Sequence, residues 1–167
     1  LAVKLNPEEE DLWISLAQAQ IRTNRRYKAL SSLSKAINLK PREDSLYFSI
    51  ASIYIDLNDL EQAKYFIKKG LTINKNNERG YFQLGNTEIM LNNYKLALIA
   101  FKKSSKINSK FWQSINNEGL VLYELNNVKE AILRFQSAHK ISNNAEPMLA
   151  LAVALYSLNH VSTESLK

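Results

Sequence analysis

Apolar residues recur along this chain at helical spacing. In a central stretch they fall at i, i+3, i+4 and i+7, which places them on one side of an α-helix. The first such series consists of Tyr47, Ile50, Ala51 and Tyr54. A second helical series follows shortly afterwards and consists of Leu60, Ala63, Ile67 and Gly70. The pattern predicts two amphipathic helices that are joined by a short turn.

The same pattern returns every 34 residues without a gap, and three columns of residues show the register. One column is always alanine and consists of Ala29, Ala63, Ala97 and Ala131. Another is always asparagine and consists of Asn24, Asn58, Asn92 and Asn126. A third is always small and consists of Ala36, Gly70, Ser104 and Ala138. Self-similarity at this period is typical of helical repeat proteins, in which each unit buries its apolar face against its neighbours.

The asparagine column falls between the two helices of each unit. Asparagine tolerates the left-handed backbone conformation that ends a helix and reverses the chain. Further helix-ending residues lie between the units, among them Pro7, Pro41 and the pairs Asn76–Asn77 and Asn143–Asn144. Each unit is therefore predicted to consist of helix, turn, helix and turn.

Small residues predict close approach of the two helices in each unit. The first helices carry one small residue each at a common register, namely Ala17, Ala51, Gly85 and Gly119. We expect these residues to face the alanine column of the second helices. Large residues are expected to fill the space between neighbouring helix pairs, and they include Trp13, Tyr47, Tyr81, Phe101 and Phe135.

The composition excludes several classes of protein. The chain has 167 residues, of which 46% are apolar, so it can fill a core and does not resemble a disordered protein. The absence of cysteine excludes disulfides and thiolate metal sites, and two histidines are too few for a histidine-rich metal centre. The chain contains no run of about 18 apolar residues, so the sequence predicts no membrane-spanning helix. Since no nucleophile–base arrangement is present either, we expect a non-enzymatic protein without a cofactor or metal. The absence of cysteine fits a reducing compartment, so we expect a cytoplasmic protein, with a peripheral position at a membrane as the alternative.

The register and the residue types together resemble the tetratricopeptide repeat. In the third unit the pattern is carried by Tyr81, Leu84, Gly85, Ala97 and Phe101. The resemblance implies an all-α fold, a right-handed superhelical solenoid of antiparallel helix pairs that forms a single array over residues 1–167. The implied boundaries are 1–9 for the end of a preceding repeat, 10–43, 44–77, 78–111 and 112–145 for four full repeats, and 146–167 for a partial fifth. Because both ends fall within a repeat and the chain opens with Leu1, we expect a segment of a longer array.

The resemblance also implies a function, because first helices line a concave groove in this family. The implied function is a scaffold that binds a partner peptide or helix there and assists assembly of a larger complex. First-helix residues off the apolar stripe are the candidate partner-binding residues, namely Gln18, Arg22, Phe48, Ser52, Arg79, Phe82, Gln83, Asn86, Met90, Asn116 and Asn117. Amides can bond to the backbone of an extended peptide, and exposed phenylalanines can cover an apolar side chain. The alternative for Phe48 and Phe82 is packing against a neighbouring helix.

Charge separates the two helices of each unit. The second helices with their following turns hold 17 Lys and Arg against 3 Glu, whereas the rest of the chain holds 5 Lys and Arg against 13 Asp and Glu. Part of this separation follows from helix dipoles, which favour anions at the N-terminus and cations at the C-terminus. An alternative function is docking of the basic outer face to an acidic protein or an anionic membrane surface. Nucleic acid is disfavoured as a partner, because the lysines are not interleaved with aromatic residues.

Polar residues occupy three first-helix positions at which the pattern predicts apolar side chains: Gln20, Glu88 and Glu118. Three interpretations of the two carboxylates remain open. They can reach solvent, a basic side chain or an amide; they can form an acidic binding spot; or they can act together as a general acid and base.

Two narrower resemblances bear on the partner. Some tetratricopeptide proteins clamp the carboxylate tails of chaperones, and the clamp positions here hold Ile14, Gln18, Ser49, Arg79 and Gln83. Only Arg79 could serve, so a chaperone-tail cochaperone is disfavoured. The segments 111–123 and 145–156 resemble tetratricopeptide proteins of cyanobacteria and plastids, some of which assist photosystem assembly.

Overall fold

The computed structural model describes residues 6–142 and 145–164, with side chains as far as Ser157. Within these ranges all regular secondary structure is helical, and no described helix is long and apolar enough to cross a membrane. The chain divides into two compact units between Asn76 and Asn77. Three predicted features fall wholly or partly outside the described residues: the start of the segment 1–9, the breaker at 143–144 and the end of the partial repeat 146–167.

The first unit contains two helix pairs. Its helices are α1 (Glu10–Arg22), α2 (Arg26–Leu39), α3 (Asp44–Asp56) and α4 (Leu60–Ile73). Helix α1 packs against α2, α2 against α3, and α3 against α4. The core between α2 and α3 is formed by Leu33, Leu46, Ile50 and Ile53, each of which is buried.

The second unit continues the same alternation. Its helices are α5 (Glu78–Met90), α6 (Tyr94–Ile107), α7 (Trp112–Glu124), α8 (Val128–Ser142) and α9 (Ala145–Glu164). Each helix packs against the next one along the chain, and α9 also contacts α7. Two buried clusters hold the unit together, one around Phe101 and Val121 and the other around Leu122 and Phe135.

Every turn within a helix pair has the predicted left-handed asparagine. The φ angles are 58° at Asn24, 58° at Asn58, 59° at Asn92 and 62° at Asn126. At Asn92 the amide donates to the carbonyl of Ile89, and the next amide, of Asn93, donates back to the carbonyl of Glu88 at 2.8 Å. These two bonds satisfy carbonyls at the end of α5 that would otherwise lack a partner. The turn sends the chain back along the helix it has just left.

The two helices of a pair approach so closely that only glycine fits at some contacts. A Cβ atom on Gly85 of α5 would lie 2.5 Å from the ring of Phe101 on α6. A Cβ atom on Gly119 of α7 would lie equally close to the ring of Phe135 on α8. Both distances are shorter than the contact distance of two carbon atoms. The predicted close approach is therefore present, and the phenylalanine ring is the surface against which the glycine lies.

This arrangement adds a contact to one expectation about the large residues. Phe101 and Phe135 were expected to fill the space between neighbouring helix pairs, and they share buried clusters with Val121 of α7 and Ala154 of α9 respectively. Each ring also lies against the glycine of its own pair, at Gly85 and Gly119 respectively. The physical reason is that the absent glycine side chain leaves room for one whole ring inside the pair.

The unexpected polar residues of the first helices are bonded separately; Gln20 is half-buried, and Glu88 and Glu118 are buried. Gln20 accepts a hydrogen bond from the hydroxyl of Ser32 at 2.8 Å. Glu88 is 3% exposed and accepts a bond from the side-chain amide of Asn93 at 2.9 Å. These contacts agree with the interpretation in which each polar group is satisfied by a neighbouring side chain.

Glu118 of α7 joins the second helices on both sides of it. The side chain is 1% exposed, accepts a short hydrogen bond from Ser105 of α6, and pairs with Arg134 of α8 at 3.4 Å. Burial raises the pKa of Glu118, and the Ser105 hydroxyl and the charges of Arg134 and Lys102 only partly oppose that rise. The carboxylate therefore positions α6 and α8 relative to α7 while being held in an environment that disfavours its charge.

Replacement of Gly85 by alanine is expected to destabilise the protein. In an ordinary helix this change stabilises by about 1 kcal/mol, because alanine is the better helix former. Here the added methyl group would collide with the Phe101 ring, and overpacking of a core costs about 1–3 kcal/mol. The measurement is urea unfolding followed by circular dichroism. The double variant Gly85→Ala/Phe101→Leu should recover part of the loss, and additive effects of the two changes would contradict the proposed contact.

Replacement of Glu118 by glutamine is expected to change how stability depends on pH. Because the folded state raises the pKa of this group, it binds the proton more tightly than the unfolded chain does. The stability contributed by protonation is complete below the usual pKa of 4.5 and is lost as pH rises through the raised value. The unfolding free energy of the wild type should therefore fall relative to Glu118→Gln as pH increases from about 4.5 to neutrality.

This comparison uses urea titrations at several pH values. Glu124→Gln is a matched control, because Glu124 is exposed at the end of the same helix. Its profile should remain parallel to that of the wild type. A parallel profile for Glu118→Gln as well would show that the buried carboxylate is not the source of the pH dependence.

Candidate functional site

The first helices present one side that is not covered by the second helices of their unit. We call this side the first-helix face and define it by three register columns. These columns are Ser15, Ser49, Gln83 and Asn117; Gln18, Ser52, Asn86 and Leu120; and Arg22, Asp56, Met90 and Glu124. All twelve side chains are exposed or half-buried, and each unit presents a first-helix face of its own.

In the first unit all the residues of this face are polar. Gln18, Arg22 and Ser52 are exposed, as predicted for a binding surface. The Ser52 hydroxyl donates to the carbonyl of Phe48 in its own helix at 3.1 Å. At the edge of the face Asp56 pairs with Arg26 at 3.5 Å. The first unit therefore offers an amide, a guanidinium and a hydroxyl to solvent, without an apolar centre formed by these residues.

In the second unit two predicted residues meet across neighbouring first helices. The side-chain nitrogen of Asn117 on α7 donates to the side-chain oxygen of Asn86 on α5 at 2.9 Å. This bond uses one donor of Asn117 and one lone pair of Asn86. A carboxamide has two donors and two acceptor lone pairs, so both groups keep hydrogen-bonding capacity. We call this arrangement the amide pair.

Exposed apolar side chains lie on the same helix sides as the amide pair. Met90 follows Asn86 by one helical turn on α5 and is 46% exposed. Leu120 follows Asn117 by nearly one turn on α7 and is 40% exposed. Residues three or four apart share one side of a helix. The second unit thus combines two carboxamides with a thioether and an aliphatic side chain on one surface.

Leu120 is the residue of this surface that the sequence analysis missed. It was assigned no role in the sequence analysis. The position of Leu120 in the repeat could have identified it. Leu120 follows Asn86 by one repeat period and occupies the same column as Gln18 and Ser52.

The structure corrects the predicted exposure of the two phenylalanines. Phe82 is half-buried, and its ring centroid lies 5.7 Å from that of Phe101 and 5.0 Å from that of Phe111. Phe48 is also half-buried, and its ring lies 2.9 Å from the position that a Cβ on Gly70 would occupy. Both rings pack against the second helix of their own repeat, which was the alternative left open for them. Phe48 and Phe82 directly follow the buried Tyr47 and Tyr81, so each lies about 100° further around its helix. From that position a phenylalanine ring is still long enough to reach the second helix.

Asn116 occupies the same register as these phenylalanines and is also removed from the predicted surface. The side chain is 1% exposed, and its nitrogen donates to the carboxylate of Glu146 on α9 at 3.1 Å. It therefore connects α7 to the first turn of α9 within the second unit. The remaining predicted residues keep their accessibility, since Arg79 is exposed and Gln83 is half-buried on α5.

Solved structures of known proteins share this fold at low sequence identity. The YrrB protein, described as a TPR protein with an unusual peptide-binding site, is 21% identical, with a TM-score of 0.77 over 95% of this chain and 82% of that one. MamA from Desulfovibrio magneticus is 16% identical, with a TM-score of 0.82 over 93% and 89% of the two chains. PilF from Pseudomonas aeruginosa is 19% identical, with a TM-score of 0.79 over 90% and 69%. A sequence search of curated proteins finds no match. These similarities confirm the predicted all-α fold.

The family follows from the sequence itself. The model of the tetratricopeptide repeat matches residues 10–43, 44–77 and 78–111, which together make up more than half of the chain. The left-handed asparagine turns and the glycine–phenylalanine contacts described above are the local structures from which these repeats are built. The chain belongs to the tetratricopeptide repeat family.

Proposed function

We propose that this protein is a non-catalytic scaffold whose second unit binds an extended segment of a partner protein on its first-helix face. Its membership of the tetratricopeptide family supports a role in protein–protein interaction. The structural neighbour YrrB is described as having a peptide-binding site, which is consistent with peptide binding by this fold. Holding such a segment would serve the assembly of a larger complex.

The amide pair is the observation that carries this proposal. An extended peptide has a donor and an acceptor on each residue, and it needs partners for both when it leaves water. Asn86 and Asn117 offer both kinds of group, and their mutual bond at 2.9 Å fixes the orientation of the two carboxamides before a ligand arrives. A preorganised site loses less conformational entropy on binding than a flexible one.

Met90 and Leu120 add an apolar contact to the amide pair. Their exposed fractions of 46% and 40% leave surface that a ligand side chain can cover. Methionine adapts to ligands of different shape because it is unbranched and polarisable. The chemistry therefore favours an extended segment that places a medium-sized apolar side chain beside a hydrogen-bonded stretch of backbone.

Removal of the amide pair is expected to weaken peptide binding without unfolding the protein. The probe is a displayed library of random peptides, selected on the wild-type chain and measured as purified peptides by fluorescence anisotropy. Loss of two hydrogen bonds of about 0.5–1.5 kcal/mol each should weaken binding to Asn86→Ala/Asn117→Ala by about tenfold. The melting temperature should change little, because both side chains are partly exposed.

Two control variants separate binding from folding. Gln136→Ala removes an exposed carboxamide from the second helix α8 and should leave affinity unchanged. Phe82→Ala removes a packed ring and should lower the melting temperature. The proposal fails if no peptide is selected by the wild type, or if the selected peptides bind equally well to the double asparagine variant.

A further inference from the structure

The outer surface of α6 has an unusual composition. We define this surface by all the exposed side chains of the helix, namely Lys95, Leu96, Ile99, Lys102, Lys103 and Lys106. Every one of them is either a lysine or a large aliphatic residue. At about 3.6 residues per turn they occupy roughly one third of the helix circumference. The opposite side of α6 is buried in the unit through Ala97, Ala100, Phe101 and Ser104.

The two aliphatic side chains protrude into solvent. Leu96 is 51% exposed and Ile99 is 63% exposed, although both belong to residue types that are usually buried. Leu133 on α8 follows Ile99 by one repeat period and is 62% exposed. Glu118 contacts Ser105 of α6 and Arg134 of α8, so the two helices are held on either side of one buried carboxylate. The apolar surface of α6 thus has a counterpart on the neighbouring second helix.

The charge around these aliphatic residues is of one sign. Helix α6 carries four lysines and no carboxylate. Among the described residues Lys95, Lys102 and Lys106 form no ion pair, and Lys103 lies over the ring of Tyr81 at 4.5 Å. Glu118, whose charge acts on Lys102, is buried and already paired. The positive charge of this surface is therefore available to an external anion.

Other second helices lack this combination. The outer side of α4 carries Glu61, Gln62 and Thr72 in addition to its lysines. The outer side of α8 carries Glu130, Gln136 and Ser137. Helix dipoles act on every helix alike, so they do not explain why α6 alone among these three excludes acidic and neutral polar residues from its exposed side.

We propose that the outer surface of α6 docks on a membrane surface that is rich in anionic lipid. Aliphatic side chains surrounded by lysines match the boundary between acyl chains and anionic headgroups, where Leu96 and Ile99 can insert and the lysines can meet lipid phosphates. An acidic protein partner fits less well. Protein interfaces are enriched in arginine and depleted in lysine, and α6 presents no arginine.

The test is co-sedimentation of the full chain with vesicles. The probe vesicles contain equal amounts of phosphatidylcholine and phosphatidylserine, and control vesicles contain phosphatidylcholine alone. A third set with phosphatidylglycerol in place of phosphatidylserine distinguishes general anionic attraction from recognition of one headgroup. We expect binding to both anionic mixtures, little binding to phosphatidylcholine, and a steep decrease with added salt.

Two pairs of variants connect binding to α6. Lys102→Glu/Lys103→Glu should reduce the bound fraction at least about tenfold, because it reverses two charges near the lipid surface. Lys68→Glu/Lys69→Glu is the matched control, since these lysines occupy the same register on α4 and the change in net charge is identical. The control should retain most of the binding. Leu96→Ser/Ile99→Ser should weaken binding while leaving the melting temperature unchanged, because both side chains are exposed.

Several outcomes would overturn the proposal. Equal binding to neutral and anionic vesicles would remove the role of charge. Equal losses in the α4 and α6 variants would show attraction by net charge rather than by this surface. Absence of vesicle binding together with α6-dependent binding to polyglutamate would identify an acidic polypeptide as the partner instead of a membrane.

Discussion

The close contact between a glycine and a phenylalanine ring is the constraint on which the second unit depends. Gly85 lies against Phe101, and Gly119 against Phe135, at distances that leave no room for a Cβ atom. This contact brings the two helices of a pair together and buries the apolar side of each. Side chains that lie neither between the two helices nor against a neighbouring pair are directed outwards, on the first-helix face or on the outer side of the second helix. The surfaces proposed for binding therefore follow from the packing of the helices.

Buried polar groups add a second level of positioning to this packing. Glu118 reaches a hydroxyl on α6 and a guanidinium on α8, so one carboxylate connects three helices. Apolar residues of similar volume often stabilise a core more than a buried charge does. A carboxylate, however, accepts hydrogen bonds only from particular directions, and it therefore fixes the rotation of neighbouring helices more narrowly than an aliphatic contact would. Asn116 makes a similar connection from α7 to α9 through Glu146.

The sequence predicted the features that depend on one residue type in one conformation. The asparagine column predicted the left-handed turns because few other residues tolerate that backbone geometry, and the small columns predicted where the helices approach. The errors concern side chains whose reach matters as much as their direction. Phe48 and Phe82 were placed on the surface by register alone, yet each ring is long enough to lie against the second helix. Leu96, Ile99 and Leu120 were overlooked because the pattern does not distinguish an aliphatic residue at the margin of a buried stripe from one within it.

The second unit presents two surfaces of opposite chemistry on the two sides of its helix pairs. The first-helix face carries carboxamides with a methionine and a leucine, whereas the outer side of α6 carries lysines with two aliphatic residues. Since one surface belongs to the first helices and the other to the second helices, occupation of one does not cover the other. A partner segment and an anionic surface could thus be held by the same helix pairs at the same time. If both proposals hold, the basic side would set where the protein resides and the amide side would select what it holds, and the two contributions to binding would be separable by mutation.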